Sequence, residues 1–223
     1  MRTKTTLSAV VVTAAALAAT ATATAVPQSA AEAAPQGAVL TYGTTITLHN
    51  LWNSDGGYLD SNGYSQQPGA YLAVSTANTP TRGPGTGSWK VLSATGKNNG
   101  APVVSGDIVY LVNQWDHGHG GYLDTNGRST RAGARLNVST TKSATRIAGS
   151  TVKWHVLDKT SSPRDGKVRI DDTVNLLNDY RSAQGGFLDT NGYETRPGAK
   201  LAVSTSYYSD RGVGTGSWKI GTL

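Results

Sequence analysis

From about residue 42 onward, apolar and polar positions alternate in short runs. Ile46-Thr47-Leu48-His49-Asn50, Val109-Tyr110-Leu111 and Val174-Asn175-Leu176 set apolar side chains two apart, as do Leu72-Ala73-Val74 and Trp89-Lys90-Val91. A period of two turns one face of a strand to a core and the other to water. No stretch of helical periodicity follows residue 38, and 27 glycines punctuate the chain. Asn-Gly stands at 62–63, 126–127 and 191–192, and predicts a hairpin turn there because a type I′ turn needs positive φ at both central residues. The pattern predicts an all-β protein.

The runs recur. Gly56-Gly57-Tyr58-Leu59-Asp60-Ser61-Asn62-Gly63 returns as Gly120 to Gly127 and as Gly185 to Gly192, with its leucine at 59, 123 and 188. Around each octet stand a L-x-N-x-W/Y pattern (Leu48/Asn50/Trp52, Leu111/Asn113/Trp115, Leu176/Asn178/Tyr180), a Leu-x-Val-Ser-Thr run ending at Thr76, Thr140 and Thr205, an arginine at 82, 146 and 211, and a W-x-V/I segment opening at Trp89, Trp154 and Trp218. A long fixed period marks a repeat architecture. Three units of about 64 residues, at about 42–105, 106–170 and 171–223, each predict four strands within one domain spanning 42–223. That count predicts a β-trefoil: a six-stranded barrel from the first and fourth strands of each unit, capped by three hairpins. A three-bladed propeller falls below the usual blade number.

Three consecutive units with a G-Y-L-D or G-F-L-D segment and a closing W-x-V/I strand resemble the β-trefoil lectins and carbohydrate-binding modules of secreted bacterial and fungal proteins. The ricin-type Q-x-W signature is missing, since Gly87, Val152 and Gly216 stand two before each tryptophan. The resemblance therefore implies a ricin-B-like architecture and glycans as ligands, with no sugar-site residue carried over by position.

The amino terminus reads differently. Met1-Arg2-Thr3-Lys4 is a basic head, Leu7 to Ala19 an apolar run, and Ala23-Thr24-Ala25 or Ala31-Glu32-Ala33 offers small residues for cleavage. Residues 1–33 are expected to be a secretory signal peptide and processing region and 34–41 a short extension, giving a secreted, extracellular protein. The apolar run is too short for a membrane span. With no cysteine, neither a disulfide nor thiolate chemistry is available. The formal charge is +6, but its lysines and arginines are scattered, which argues against nucleic acid as a partner. A monomer is expected.

Among candidate functional residues, Trp89, Trp154 and Trp218 alternate with Val91, Val156 and Ile220 and are expected in the core. Trp52, Trp115 and Tyr180 sit where a strand enters a Gly-rich loop, and suit stacking on sugar rings. Asp60, Asp124 and Asp189 either cap their own turns or accept hydrogen bonds from adjacent hydroxyls. Asn62, Asn126 and Asn191 serve the turn or contribute amides to a ligand. Arg82, Arg146 and Arg211 either tie loop carbonyls or touch ligand. His117-Gly118-His119 is unrepeated and weak evidence for zinc, so no metal or cofactor is assigned. Three equal copies of one polar set suit equal binding sites better than catalysis, whose groups need different roles. The expected function is non-enzymatic binding of glycans or cell-surface polysaccharide through up to three equivalent weak sites, one per repeat, built from the nine residues Trp52, Asp60, Asn62, Trp115, Asp124, Asn126, Tyr180, Asp189 and Asn191. The alternative is a secreted protease inhibitor acting through one exposed loop.

Overall fold

The computed structural model describes residues 37–223, the side chains of residues 148 and 149 apart. The expected signal segment, 1–33, lies outside them. Among the described residues the strands are β1 (Thr45–Asn50), β2 (Gly57–Tyr64), β3 (Leu72–Ala77), β4 (Trp89–Ser93), β5 (Ile108–Asn113), β6 (Gly121–Arg128), β7 (Leu136–Thr141), β8 (Trp154–Asp158), β9 (Thr173–Asn178), β10 (Gly186–Tyr193), β11 (Leu201–Ser206) and β12 (Trp218–Gly221). All twelve belong to one antiparallel sheet.

The pairings correct the expected β-trefoil of a small barrel with separate hairpin caps. Hydrogen-bonded neighbours run β11, β3, β2, β1, β12, β9, β8, β5, β6, β7 and back to β11, which closes a ten-strand antiparallel barrel. The two remaining strands bridge it, β4 pairing with β1 and β5, and β10 with β9 and β11. The hairpins are thus wall rather than caps. Their buried backbone groups need partners, and the threonine ending each Leu-x-Val-Ser-Thr run supplies them. Thr140 accepts from the amides of Tyr71 and Leu72, Thr205 from Arg135 and Leu136, and Thr76 from Lys200 and Leu201.

The core holds the apolar positions that the repeats share. Leu48, Leu59, Val91, Leu111, Leu123, Val156, Leu176, Leu188 and Ile220 are buried around Trp89, Trp154 and Trp218. Each indole also finds a polar partner, Nε1 donating to the carbonyl of Leu59, Leu123 or Leu188 at 2.9, 3.0 and 2.9 Å. The fourth strand of each unit is therefore pinned to its own hairpin.

Asn-Gly does not make the hairpin turn. β2 continues through Asn62-Gly63 to Tyr64, with a register shift between Ser61 and Tyr64, and β6 and β10 do the same. Gly63, Gly127 and Gly192 hold φ of 67, 67 and 70°, so the positive φ serves a bulge. The chain reverses further on, where Ala70 bonds back to Gln67, Ala134 to Arg131 and Ala199 to Arg196.

Candidate ligand-binding clefts

Local structure sets the loop aromatics. Asn50, Asn113 and Asn178 close β1, β5 and β9 and are fully buried. Their Oδ1 atoms accept from the amides of Trp52, Trp115 and Tyr180 at 3.1, 3.2 and 3.2 Å. The same oxygens accept from the hydroxyls of Thr190, Ser61 and Thr125, each in the preceding repeat when the three are taken as a ring. The amide nitrogens donate to the carbonyls of Thr215, Thr86 and Thr151. A methyl on Gly56, Gly120 or Gly185 would lie 2.1 to 2.2 Å from these Asn side chains, which requires the first glycine of each Gly-Gly pair.

Just after each aromatic the backbone turns left-handed at residues other than glycine: Asn53 (φ 45°), Asp116 (48°) and His117 (57°), Arg181 (52°) and Ser182 (59°). Such conformations cost energy and are held by their surroundings, often where a ligand binds. They tip the half-buried rings of Trp52, Trp115 and Tyr180 over the hairpin of the preceding repeat.

Three clefts result. Trp115 faces Ser61, Gly63, Tyr64, Leu72 and Thr86 across a volume of ≈ 250 Å³. Tyr180 faces the matching Thr125, Gly127, Arg128, Leu136 and Thr151 across ≈ 360 Å³. Trp52 closes the ring over Thr190, Gly192, Tyr193, Leu201 and Thr215 across ≈ 250 Å³. The expected single-repeat site is corrected here, because each aromatic works with the hairpin of the unit before it. Exposed large apolar side chains gather at these clefts: Tyr64 beside Trp115, Tyr193 beside Trp52, and Ile147 with Tyr207 beside Tyr180. Trp52 meets Tyr193 edge to face at 6.4 Å.

The polar candidates sit behind the clefts. Asp60, Asp124 and Asp189 have no exposed surface, so they cannot touch a ligand. Each holds an arginine: Asp60 accepts from Arg82 Nε at 2.7 Å, Asp124 from Arg146, and Asp189 from Arg211 Nε at 2.9 Å. The same guanidinia donate to the carbonyls of Ser61, Thr125 and Thr190. Burial pushes the Asp124 carboxyl up to about 6 against the opposing pull of Thr151 and Arg146. Asp60 and Asp189 are raised by the same cause. Asn62, Asn126 and Asn191 are buried and donate to the carbonyls of Pro197, Pro68 and Ala132, clipping one hairpin tip to the next. Of the nine candidates, then, the three aromatics line clefts openly, Asn191 lies at the edge of the Trp52 cleft, and the others brace the walls. The rim residues Tyr64, Arg128 and Tyr193 were missed, although a bulky side chain directly after each Asn-Gly was a visible signal.

His117 lies in the left-handed turn after Trp115 and His119 just beyond it, with His119 Nδ1 2.6 Å from the Asp116 carbonyl. Among the described residues no group of three His, Cys, Asp or Glu side chains is placed to hold a metal, and no helix is long and apolar enough to cross a membrane.

No family model matches the chain, and no curated protein matches it in sequence. Solved structures share its fold. A Caenorhabditis elegans protein with unknown function is similar at TM-score 0.62 and 16% identity, over 82% of this chain and 96% of that one. The SDF2-like protein of Arabidopsis thaliana matches at TM-score 0.61 and 17% identity, over 83% and 97%. The S. cerevisiae protein O-mannosyltransferase Pmt1-Pmt2 complex bound to the sugar donor matches at TM-score 0.62 and 16% identity, over 86% of this chain and 27% of the other. These barrel structures replace the expected resemblance to β-trefoil lectins and carbohydrate-binding modules, and at such identities they show the fold alone.

Proposed function

We propose that this protein is a non-catalytic glycan-binding protein that acts outside the cell, taking one sugar residue in each of its three clefts. The observation that carries the reading is the threefold recurrence of one arrangement: an aromatic ring from one repeat, held by a strained turn, over a hairpin of the previous repeat. A ring face beside hydroxyls and backbone amides suits the mixed apolar and polar faces of a sugar. At ≈ 250, 360 and 250 Å³ the clefts stand at or below the lower end of drug-sized pockets. Each should hold a monosaccharide with a Kd on the order of 1 mM, while three on one rigid body add roughly 10² to 10⁴ in avidity for a dense surface.

The test is a neutral glycan panel followed by calorimetric titration of the best binder. Trp52→Ala, Trp115→Ala and Tyr180→Ala should each remove one site, and the triple variant should bind nothing while keeping its β-sheet circular dichroism. A folded triple variant that binds as well as the parent overturns the proposal.

A further inference from the structure

The three clefts repeat one arrangement of aromatic and hairpin and are unequal in charge. Around Tyr180 the cleft is lined by Arg128, Arg135 and Arg181. The positions matching Arg128 hold Tyr64 and Tyr193, those matching Arg135 hold Tyr71 and Lys200, and those matching Arg181 hold Asp116 and Asn53. Lys200 is occupied by Asp55 at 2.9 Å. Among the described residues Arg128, Arg135 and Arg181 form no ion pair. Arg135 and Arg181 instead lie over aromatic rings, the guanidinium carbon 4.5 Å from the centre of Tyr207 and 5.3 Å from that of Tyr180. The carboxylate nearest in sequence, Asp179, is engaged by His155 Nε2 at 2.9 Å. A chain that pairs Arg82, Arg131, Arg146, Arg169 and Arg211 with carboxylates leaves three guanidinia free around one ring.

Resting on the glycan-binding reading above, we propose that the Tyr180 cleft is selective for an acidic saccharide, one that carries a sulfate ester or a uronic carboxylate. The ring of Tyr180 takes the sugar face, and the guanidinia converge on the anionic substituent. Arginine suits that task because its planar fork donates two parallel hydrogen bonds to a carboxylate or sulfate. Stacking on Tyr180 and Tyr207 also orders two of the three side chains before a ligand arrives, reducing the entropy lost on binding. The Trp52 and Trp115 clefts lack this arrangement and take neutral sugars.

The experiment titrates the full chain with three disaccharide probes of one backbone, unmodified, O-sulfated and carboxylated as a uronate, at two salt concentrations. The parent should prefer an acidic probe to the unmodified one by at least tenfold, with the preference shrinking at higher salt. Whichever acidic probe gains more identifies the substituent. Arg128→Gln, Arg135→Gln and Arg181→Gln should each lower affinity for the acidic probe by about tenfold, the worth of one charge-assisted hydrogen bond, and lower it for the unmodified probe by much less. Tyr180→Ala should abolish acidic-probe binding, whereas Trp52→Ala and Trp115→Ala should preserve it. Equal affinity for all three probes overturns the acidic preference and leaves the glycan reading standing; no binding of any probe or panel glycan sinks both. Acidic-probe binding that survives Tyr180→Ala, or equal binding of a charge-matched oligonucleotide, shows unspecific attraction and also overturns the proposal.

Discussion

At the scale of the residue, the aspartates show how a recurring polar position can mislead. Asp60, Asp124 and Asp189 stand in the most regular octet of the chain, and nothing local distinguishes a carboxylate that meets a ligand from one that is sealed behind a wall. The difference lies in Arg82, Arg146 and Arg211, 22 residues on in each case. A recurrent arginine beyond a recurrent aspartate was legible as a pair only once the aspartates were seen to lack a solvent face. The burial of these carboxyls has a pH consequence. With its folded pKa raised to about 6 above the ordinary value near 3.9, Asp124 binds its proton more readily in the folded state, so its contribution to stability is fully present below about pH 4 and is lost as pH rises through 6. Asp60 and Asp189 act in the same sense. Asp55 is held down to about 2 by His49 and Lys200, and at Asp107 burial pushes up but is outweighed by Lys97, the Val104 amide and the Tyr42 hydroxyl, which leave it lowered, so these two contribute above pH 4 and lose that contribution in stronger acid. Denaturant melts should therefore show greatest stability between about pH 4 and 5, with a decline of about 1 to 3 kcal/mol toward pH 7 that shrinks in Asp124→Asn. A parent whose stability climbs steadily from pH 4 to 7 would refute this assignment.

At the scale of the element, the strands were readable from period two and the hairpin bend was not. Asn-Gly is a strong turn signal by its own chemistry, but Asn62, Asn126 and Asn191 are each drawn to a carbonyl of another hairpin, and that distant partner turns the dipeptide into a bulge. The buried asparagines ending β1, β5 and β9 make a comparable long-range link. Asn113 bonds to Thr86 O, Ser61 Oγ and Trp115 N, joining two repeats and aiming one aromatic. Asn113→Ala should cost about 1 to 3 kcal/mol, the penalty for stranding buried partners, and should weaken the Trp115 cleft while the Trp52 and Tyr180 clefts keep their affinity. Chemical denaturation and a site-resolved titration check the two halves of this expectation. Loss of all three clefts would mean that the asparagine supports the barrel as a whole.

For the molecule as a whole, the repeat period and the core tryptophans were legible, whereas the closure of ten strands into a ring was not, because pairing between β3, β7 and β11 depends on residues far apart in sequence. Trp154 joins β8 to the Leu123 carbonyl at 3.0 Å inside a core common to all repeats. Trp154→Ala should lower stability by about 3 to 5 kcal/mol and preserve one unfolding transition; separate transitions would show that the repeats melt independently. The shared ownership of each cleft bears on how its specificity can change. A substitution in one unit reaches two clefts, one through the unit's aromatic and another through its hairpin. Exchanging whole repeats would transplant half of each of two clefts, so the period written in the chain and the part that could be traded as a complete cleft are offset by half a unit.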